Sequence, residues 1–312
     1  MRREIDGEIG DGTGSGWREA RRLALALVAA GTPLLVVTDF DGTLAPITQE
    51  PMGAYIEPMG RRAIRRLARL AAHRPDRLSV VVLSGRTAHD VAGRVRVGGV
   101  RYLGNHGLES GDLARSVRAE RLAVAIEPAL AGWIGPSTAL GDAVPALLGH
   151  PDWLFVERKG PSVAFHFRQA PDMDAARLEV LEAIQSAERA LGGTGLVGLE
   201  GRRIVELRPA GAGGKGDAVA RLIESLRPGG VIVLGDDRSD AEAFDVVRKA
   251  RERGELDGLA VAVHASAEAP REVAAAADVE LGSPRDAARL LSVVAGALER
   301  EAPLRRSPAR PR

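Results

Sequence analysis

The sequence predicts an α/β protein with a parallel-sheet core, interrupted by an inserted α+β domain. Three short apolar runs, residues 34–37, 78–83 and 231–234, have the length and composition of strands buried on both faces. Each ends abruptly in polar residues at a turn: DFDGT, SGR and GDDRSD. From about residue 111 to 207 the pattern changes to two hairpins around a helix, with no parallel βαβ signal.

Taken in order, residues 1–16 are polar and Gly-rich and read as disordered. Residues 17–30 have helical spacing of apolar side chains and stop at Gly31. The first strand follows, then a Pro-rich loop, then an Arg-rich amphipathic helix at 59–72. Its arginines interleave with a core face and read as a solvated surface. After the second strand a helix begins near Thr87, with Ser84 or Thr87 as its cap. Residues 101–103 form a short strand running into the turn GNHG. Within the insert, 119–132 and 139–149 read as helices. Residues 153–157 and 162–168 pair across ERKGP, 173–191 is helical, and 196–200 pairs with 203–207. A helix at 217–226, the third core strand and a fourth at 259–263 restore the parallel pattern. The organisation expected is a discontinuous core over 17–111 and 208–302, an insert over 112–207, hinges near 110 and 208, and a disordered basic tail at 303–312.

Composition narrows the function. The chain has 312 residues, 45% of them hydrophobic, and a formal net charge of +1. Such a balance gives no global attraction to nucleic acid or an anionic membrane, so an anionic substrate needs a local site. The absence of cysteine removes disulfides, thiolate metal sites and a cysteine nucleophile. Six histidines without HxH or HxxxH spacing disfavour a histidine-built zinc site. With no apolar stretch long enough to span a bilayer and no secretory leader, a cytoplasmic protein is expected.

The chemistry lies where the strands end. Asp39 and Asp41 follow a buried strand, where two acids are costly unless a cation or proton relieves them. A divalent ion with hard oxygen ligands, such as magnesium, is the simplest relief. Gly85 permits close backbone approach, and Ser84 sits at a helix start, where anions bind. A parallel sheet aligns the carboxyl ends of its strands along one edge, so DFD, SGR and GDD converge there.

DFDGTL, SGR, the Lys215 motif and GDDRSD, in that order, resemble the four motifs of the haloacid dehalogenase superfamily of phosphotransferases. SGR, GNHG, the ERK and HFR pair, ELRP and GGKG are similar to its trehalose-phosphate phosphatase branch, over about residues 34–245. The resemblance implies a Rossmann-like core with a cap domain, and Mg2+-dependent hydrolysis of trehalose 6-phosphate. It implies Asp39 as nucleophile, Asp41 as general acid and base, and Lys215 as the cation holding Asp39 and the phosphoryl group. Thr43, Ser84, Gly85, Arg86 and Lys215 would bind phosphate. Asp39, the backbone carbonyl of Asp41, and Asp236 would hold the ion, with Asp237 and Asp240 supporting them. In the cap, Glu157, Lys159 and Glu206 would grip the sugar, joined by His166 and Arg168. Two departures stand out: Phe167 where the family has tyrosine, and Ala241 where it has an acid, with Glu242 next door.

Other readings compete. Gly211, Gly213 and Gly216 fit GxGxxG before a helix, a dinucleotide fingerprint, but Pro209 spoils the tight turn it needs and DFDGT stays unexplained. A non-catalytic sugar-phosphate sensor, or a phosphatase for sucrose phosphate or a mannosyl phosphate ester, are the remaining alternatives.

Overall fold

The computed structural model describes residues 15–48, 53–201, 203–264 and 271–301. Of the disorder expected over residues 1–16, residues 1–14 lie outside these, as does the tail at 303–312, whereas Ser15 and Gly16 are helical and open the first helix. The chain divides into two compact units, 1–106, 111–123 and 214–312 in one, and 107–110 and 124–213 in the other. The sequence places the insert at 112–207. The division instead leaves 111–123 with the first unit and carries the second on to Gly213.

The first unit is a parallel sheet with helices on both faces. Helix α1 (Ser15–Ala29) precedes strand β1 (Leu34–Thr38), and α2 (Pro58–His73) precedes β2 (Leu78–Leu83). Then come α3 (Ala88–Val95), β3 (Val100–Gly104) and the last three residues of β4 (Glu109–Leu113). After the insert the unit resumes with α6 (Lys215–Leu226), β10 (Gly230–Gly235), α7 (Arg238–Glu252) and β11 (Asp257–Val263). It closes with α8 (Arg271–Ala276), β12 (Val279–Leu281) and α9 (Pro284–Glu301). The order is β12-β11-β10-β1-β2-β3-β4. From β12 to β3 every pairing is parallel. β1 therefore lies centrally, flanked by β10 and β2, and all five of its residues are buried. That is why its run is apolar without alternation. One face packs Leu35, Val37, Val81 and Val233 against Val219 and Leu222 of α6 and Phe244 and Val247 of α7. Helices α1 and α2 both pack on α9 through buried stripes that include Ala24, Leu67, Leu291 and Val294.

The second unit has a four-stranded antiparallel sheet, built from β6 (Phe155–Lys159), β7 (Ser162–His166), β8 (Leu196–Gly201) and β9 (Ile204–Pro209). Its order is β6-β7-β9-β8. Helices α4 (Ile134–Leu147) and α5 (Met173–Ala190) supply the other half of its core, Leu140 and Val144 meeting Val163, Phe165, Phe167, Val180 and Leu207. The helix expected over 119–132 does not form. Short 3-10 turns at Ala119–Arg121 and Pro128–Trp133 flank β5 (Ala125–Ile126) instead. Pro128 has no N–H to continue a helix, and it disfavours helical geometry at Glu127 before it. β5 pairs antiparallel with Glu109 and Ser110, a strand that sequence periodicity did not reveal.

Candidate active site

The Asp39 N–H donates to the Leu234 carbonyl at 3.0 Å, extending the ladder between β1 and β10 by one residue. The chain then folds sharply. Leu44 and Ala45 donate to the Phe40 carbonyl at 2.9 and 2.8 Å, and Gly42 donates to the Ala45 carbonyl at 2.7 Å. Phe40 and Leu44 are fully buried and anchor this loop, while the Asp41 side chain is 40% exposed. Gly42 has φ +76°, and a Cβ there would collide with the Asp236 carboxylate, so both conformation and close approach demand glycine. The buried Thr43 hydroxyl has no hydrogen-bond partner among the described residues. Buried polar groups nearly always have a partner, which a ligand, water or ion can supply.

Lys215 opens α6, directly after its N-cap Gly214, whose N–H donates to Asp217 at 2.8 Å. Its buried ammonium lies 2.9 Å from Asp39 Oδ1, 2.8 Å from Asp240 Oδ1 and 3.7 Å from Asp237 Oδ1. Asp240 Oδ2 accepts the N–H groups of Asp236 and Asp237, both at 3.1 Å. Asp237 in return accepts the Asp240 N–H at 3.0 Å. This reciprocal pair caps α7. It also fixes the loop that presents Asp236.

The balance of charge in this cluster is unfavourable as it stands. Among the described residues, Asp39, Asp236, Asp237 and Asp240 face one ammonium, that of Lys215. Burial pushes the Asp39 carboxyl up to about 6, against the pull of Lys215 and with help from the charges of Asp237 and Asp41. Burial, then the neighbouring acids, raise Asp236 well above the carboxylate range. Burial likewise raises Asp240, against the pull of Lys215. For Asp237 burial is outweighed by Lys215 and by hydrogen bonds from Asp240 and Ser239, and its carboxyl is held low. Burial alone would depress Lys215, but the surrounding acids raise it well above its usual value. Oxygen atoms of Asp39, Asp236 and Asp240 lie within 4.8 Å of one another. A concentrated set of hard oxygen donors, short of positive charge, suits a divalent cation.

A second ionic chain lies beside the first. Arg86 donates through Nε to Asp41 Oδ2 at 2.6 Å and through Nη2 to Asp41 Oδ1 at 2.8 Å. Its Nη1 donates to Asp90 Oδ2 at 2.8 Å. Arg94 grips Asp90 through Nε at 2.9 Å to both oxygens, and its Nη1 donates to the Ala54 carbonyl at 2.7 Å. Thr87 caps α3 by accepting the Asp90 N–H at 3.2 Å, which leaves Ser84 free of that task. The buried Ser84, just past β2, accepts the Arg86 N–H at 3.2 Å.

In the second unit, Glu157, Lys159, His166 and Glu206 share the sheet face opposite the core. Lys159 lies 3.5 Å from Glu157 and 3.7 Å from Glu206, and His166 Nε2 lies 2.9 Å from Glu157. Lys159 and Glu206 are buried.

The sequence profile of the trehalose-phosphatase family matches residues 37–126 and 152–280, most of the chain. The chain belongs to the trehalose-phosphatase family. A trehalose-phosphate phosphatase of Mycobacterium avium is 36% identical over 276 residues, which is 87% of this chain and 64% of that protein. The chain thus spans just under two thirds of the curated relatives it matches first. Its fold resembles the C-terminal domain of the C. albicans trehalose-6-phosphate phosphatase, with TM-score 0.66 at 21% identity over 88% of this chain and 96% of that one. It also resembles a haloacid dehalogenase-like hydrolase from Bacteroides thetaiotaomicron, with TM-score 0.50 at 19% identity over 86% of this chain and 100% of that one. The fold is of the haloacid dehalogenase type.

Within this family member, the expected residues divide by neighbourhood. Asp39, Lys215, Asp236, Asp237 and Asp240 form one cluster. The Asp41 carboxylate is held by Arg86, while its charge still acts on Asp39. Arg86, expected to bind phosphate, has Nε, Nη1 and Nη2 engaged by Asp41 and Asp90. Arg168 lies past the end of β7, where burial and then the charge of Arg203 lower its pKa. Phe167 is fully buried in the core of the second unit, away from the polar face. Glu242, beside Ala241, packs where any side chain on Gly214 would have to go, at the start of α6. The glycines of the apparent dinucleotide fingerprint follow β9, whose neighbours are antiparallel, so no βαβ unit supports that reading. Sequence reasoning missed Asp90 and Arg94. Their signal was present as Arg86, Asp90 and Arg94, each four residues from the next on α3 and its entry.

Proposed function

We propose that this chain is a Mg2+-dependent phosphatase that hydrolyses trehalose 6-phosphate to trehalose and phosphate through an aspartyl-phosphate at Asp39. The observation carrying this reading is the Asp39–Lys215 pair set among three further carboxylates at the ends of β1 and β10. Asp39 and Asp236 would hold the magnesium ion with the Asp41 carbonyl, because Asp240 is already engaged by Lys215 and two backbone N–H groups. The ion would supply positive charge that offsets the clustered acids and the phosphoryl oxygens. An Asp39 oxygen attacks phosphorus, and the bond from phosphorus to the sugar oxygen breaks. Asp41 gives its proton to the departing oxygen. Water then attacks the acyl phosphate, loses a proton to Asp41 and restores Asp39. Lys215 holds Asp39 in place and balances charge on the phosphoryl group. The partnerless hydroxyl of Thr43, with Ser84 and the backbone at Gly85, would donate to phosphoryl oxygens. Asp237 and Asp240 keep Lys215 and the Asp236 loop in place. In the second unit, Glu157, Lys159 and Glu206, with His166 and Arg168, would bind the disaccharide hydroxyls through charge-assisted hydrogen bonds.

The test is phosphate release from trehalose 6-phosphate, with magnesium and with EDTA, by wild type and by Asp39→Asn. Magnesium-dependent release that Asp39→Asn abolishes is expected. Sucrose 6-phosphate and a mannosyl phosphate ester belong in the same panel. Comparable turnover of all three would overturn the trehalose assignment, and no release from any would overturn the phosphatase reading.

A further inference from the structure

We propose that Arg86 is a positioning residue that aims the Asp41 carboxylate at the leaving-group oxygen, rather than a phosphate ligand. The inference rests on the phosphatase reading above and assigns this side chain a different part in it.

The geometry favours positioning over phosphate binding. Nε and Nη2 form the parallel fork that fits one carboxylate, and both bonds to Asp41 are short, at 2.6 and 2.8 Å. The outer face of the guanidinium is held as well, by Asp90 at 2.8 Å. Asp90 is itself clamped by Arg94, whose side chain is 10% exposed and tied to the Ala54 carbonyl. Burial opposes the Arg86 charge, but the hydrogen bonds it donates to both carboxylates raise its pKa further above its already high value. The guanidinium carbon also stands 5.8 Å from the centre of the Phe40 ring, between the two acids of the first motif in sequence. Arg94, Asp90 and Arg86 therefore form a rigid strut from α3 to Asp41. A short carboxylate on an exposed turn would otherwise sample several rotamers. Each Asp41 oxygen keeps a further lone-pair site for the transferred proton while the fork stays closed. A phosphoryl group recruiting Arg86 would have to break this fork.

Leaving-group chemistry separates the two roles. A sugar alkoxide must be protonated as it departs, whereas p-nitrophenolate leaves as a stable anion. Rapid-quench first turnovers of both phosphate esters would be compared in wild type, Arg86→Gln and Arg86→Lys. Loss of aimed general-acid catalysis predicts that Arg86→Gln slows the first turnover of trehalose 6-phosphate about 100-fold. KM and the first-turnover burst of p-nitrophenolate should stay within about threefold of wild type. Arg86→Lys keeps the charge without the fork and should lie between. Asp90→Asn, which loosens the strut and leaves Arg86 in place, should give the same substrate pattern at smaller amplitude and covers the case where Arg86→Gln fails to fold. Equal losses on both esters, or a KM raised on both, would overturn the proposal and return Arg86 to the phosphate site. If wild type releases phosphate from neither ester, the phosphatase reading itself falls, which the wild-type arm reveals before any variant is made.

Discussion

The Lys215 ammonium and the Asp39 carboxylate are 176 positions apart in the chain and 2.9 Å apart in space, both buried. Neither could be buried alone, since an isolated charge in the interior costs several kcal/mol. Lys215→Met is therefore expected to remove the proposed phosphatase activity and to destabilise the fold by about 3–5 kcal/mol, the usual cost of orphaning a buried charge partner. Urea unfolding of wild type and variant measures the stability term.

Stability should also depend on pH through Asp39. Its folded pKa, about 6, lies above the ordinary carboxylate value of 3.8. The folded state binds the proton more tightly, so this group's contribution is full below about 3.8, declines as pH rises through about 6, and is absent above. Metal-free protein should lose stability over that window. Magnesium, taking the place of the proton, should raise Tm more at pH 7 than at pH 5. Calorimetric scans with and without MgCl2 at the two pH values check this, and an equal rise at both would contradict it.

Gly42→Ala should disable the acidic cluster. The residue needs φ +76°, and its Cβ would strike the Asp236 carboxylate. Backbone strain alone costs about 1–3 kcal/mol. The displaced Asp236 should raise the magnesium concentration needed for half-maximal phosphate release. A titration superimposable on wild type would show that Asp236 does not hold the ion.

The polar face of the second unit should govern the sugar and not the chemistry. Losing a charge-assisted hydrogen bond costs about 1.5–3 kcal/mol, so Lys159→Ala or Glu206→Gln should raise KM for trehalose 6-phosphate about 10- to 100-fold. Turnover of p-nitrophenyl phosphate, which carries no sugar, should be unchanged. Steady-state kinetics on the two substrates decide it.

Phe167→Tyr, which introduces the residue expected there from the resemblance, should destabilise this protein. Phe167 is fully buried among Val163, Phe165 and Val180. A hydroxyl placed there without a partner costs about 1–3 kcal/mol. Thermal unfolding measures the change, and an unchanged Tm would mean that the ring has room for a bonded hydroxyl.

Much of this protein is legible in one dimension. The apolar runs at 34–37, 78–83 and 231–234 are too short and too uniformly apolar to be anything but central strands, and their parallel order then forces DFDGT, SGR and GDDRSD to one sheet edge. The faces of β7 also follow from alternation, with Val163 and Phe165 turned to the core and His166 to the other side. The segment 119–132 was not legible, because helical spacing of apolar residues carries no record of what Pro128 forbids or of a partner strand at Glu109 and Ser110.

By itself, then, the sequence determined the central strands and the turns that end them, because periodicity and turn residues act locally. Only the tertiary structure decided how the charges pair: Lys215 with Asp39 and Asp240, Arg86 with Asp41 and Asp90. Pairing depends on distances of a few ångströms between groups distant in the chain, and on the burial that makes each unpaired charge costly. Neither quantity is written in the order of the residues.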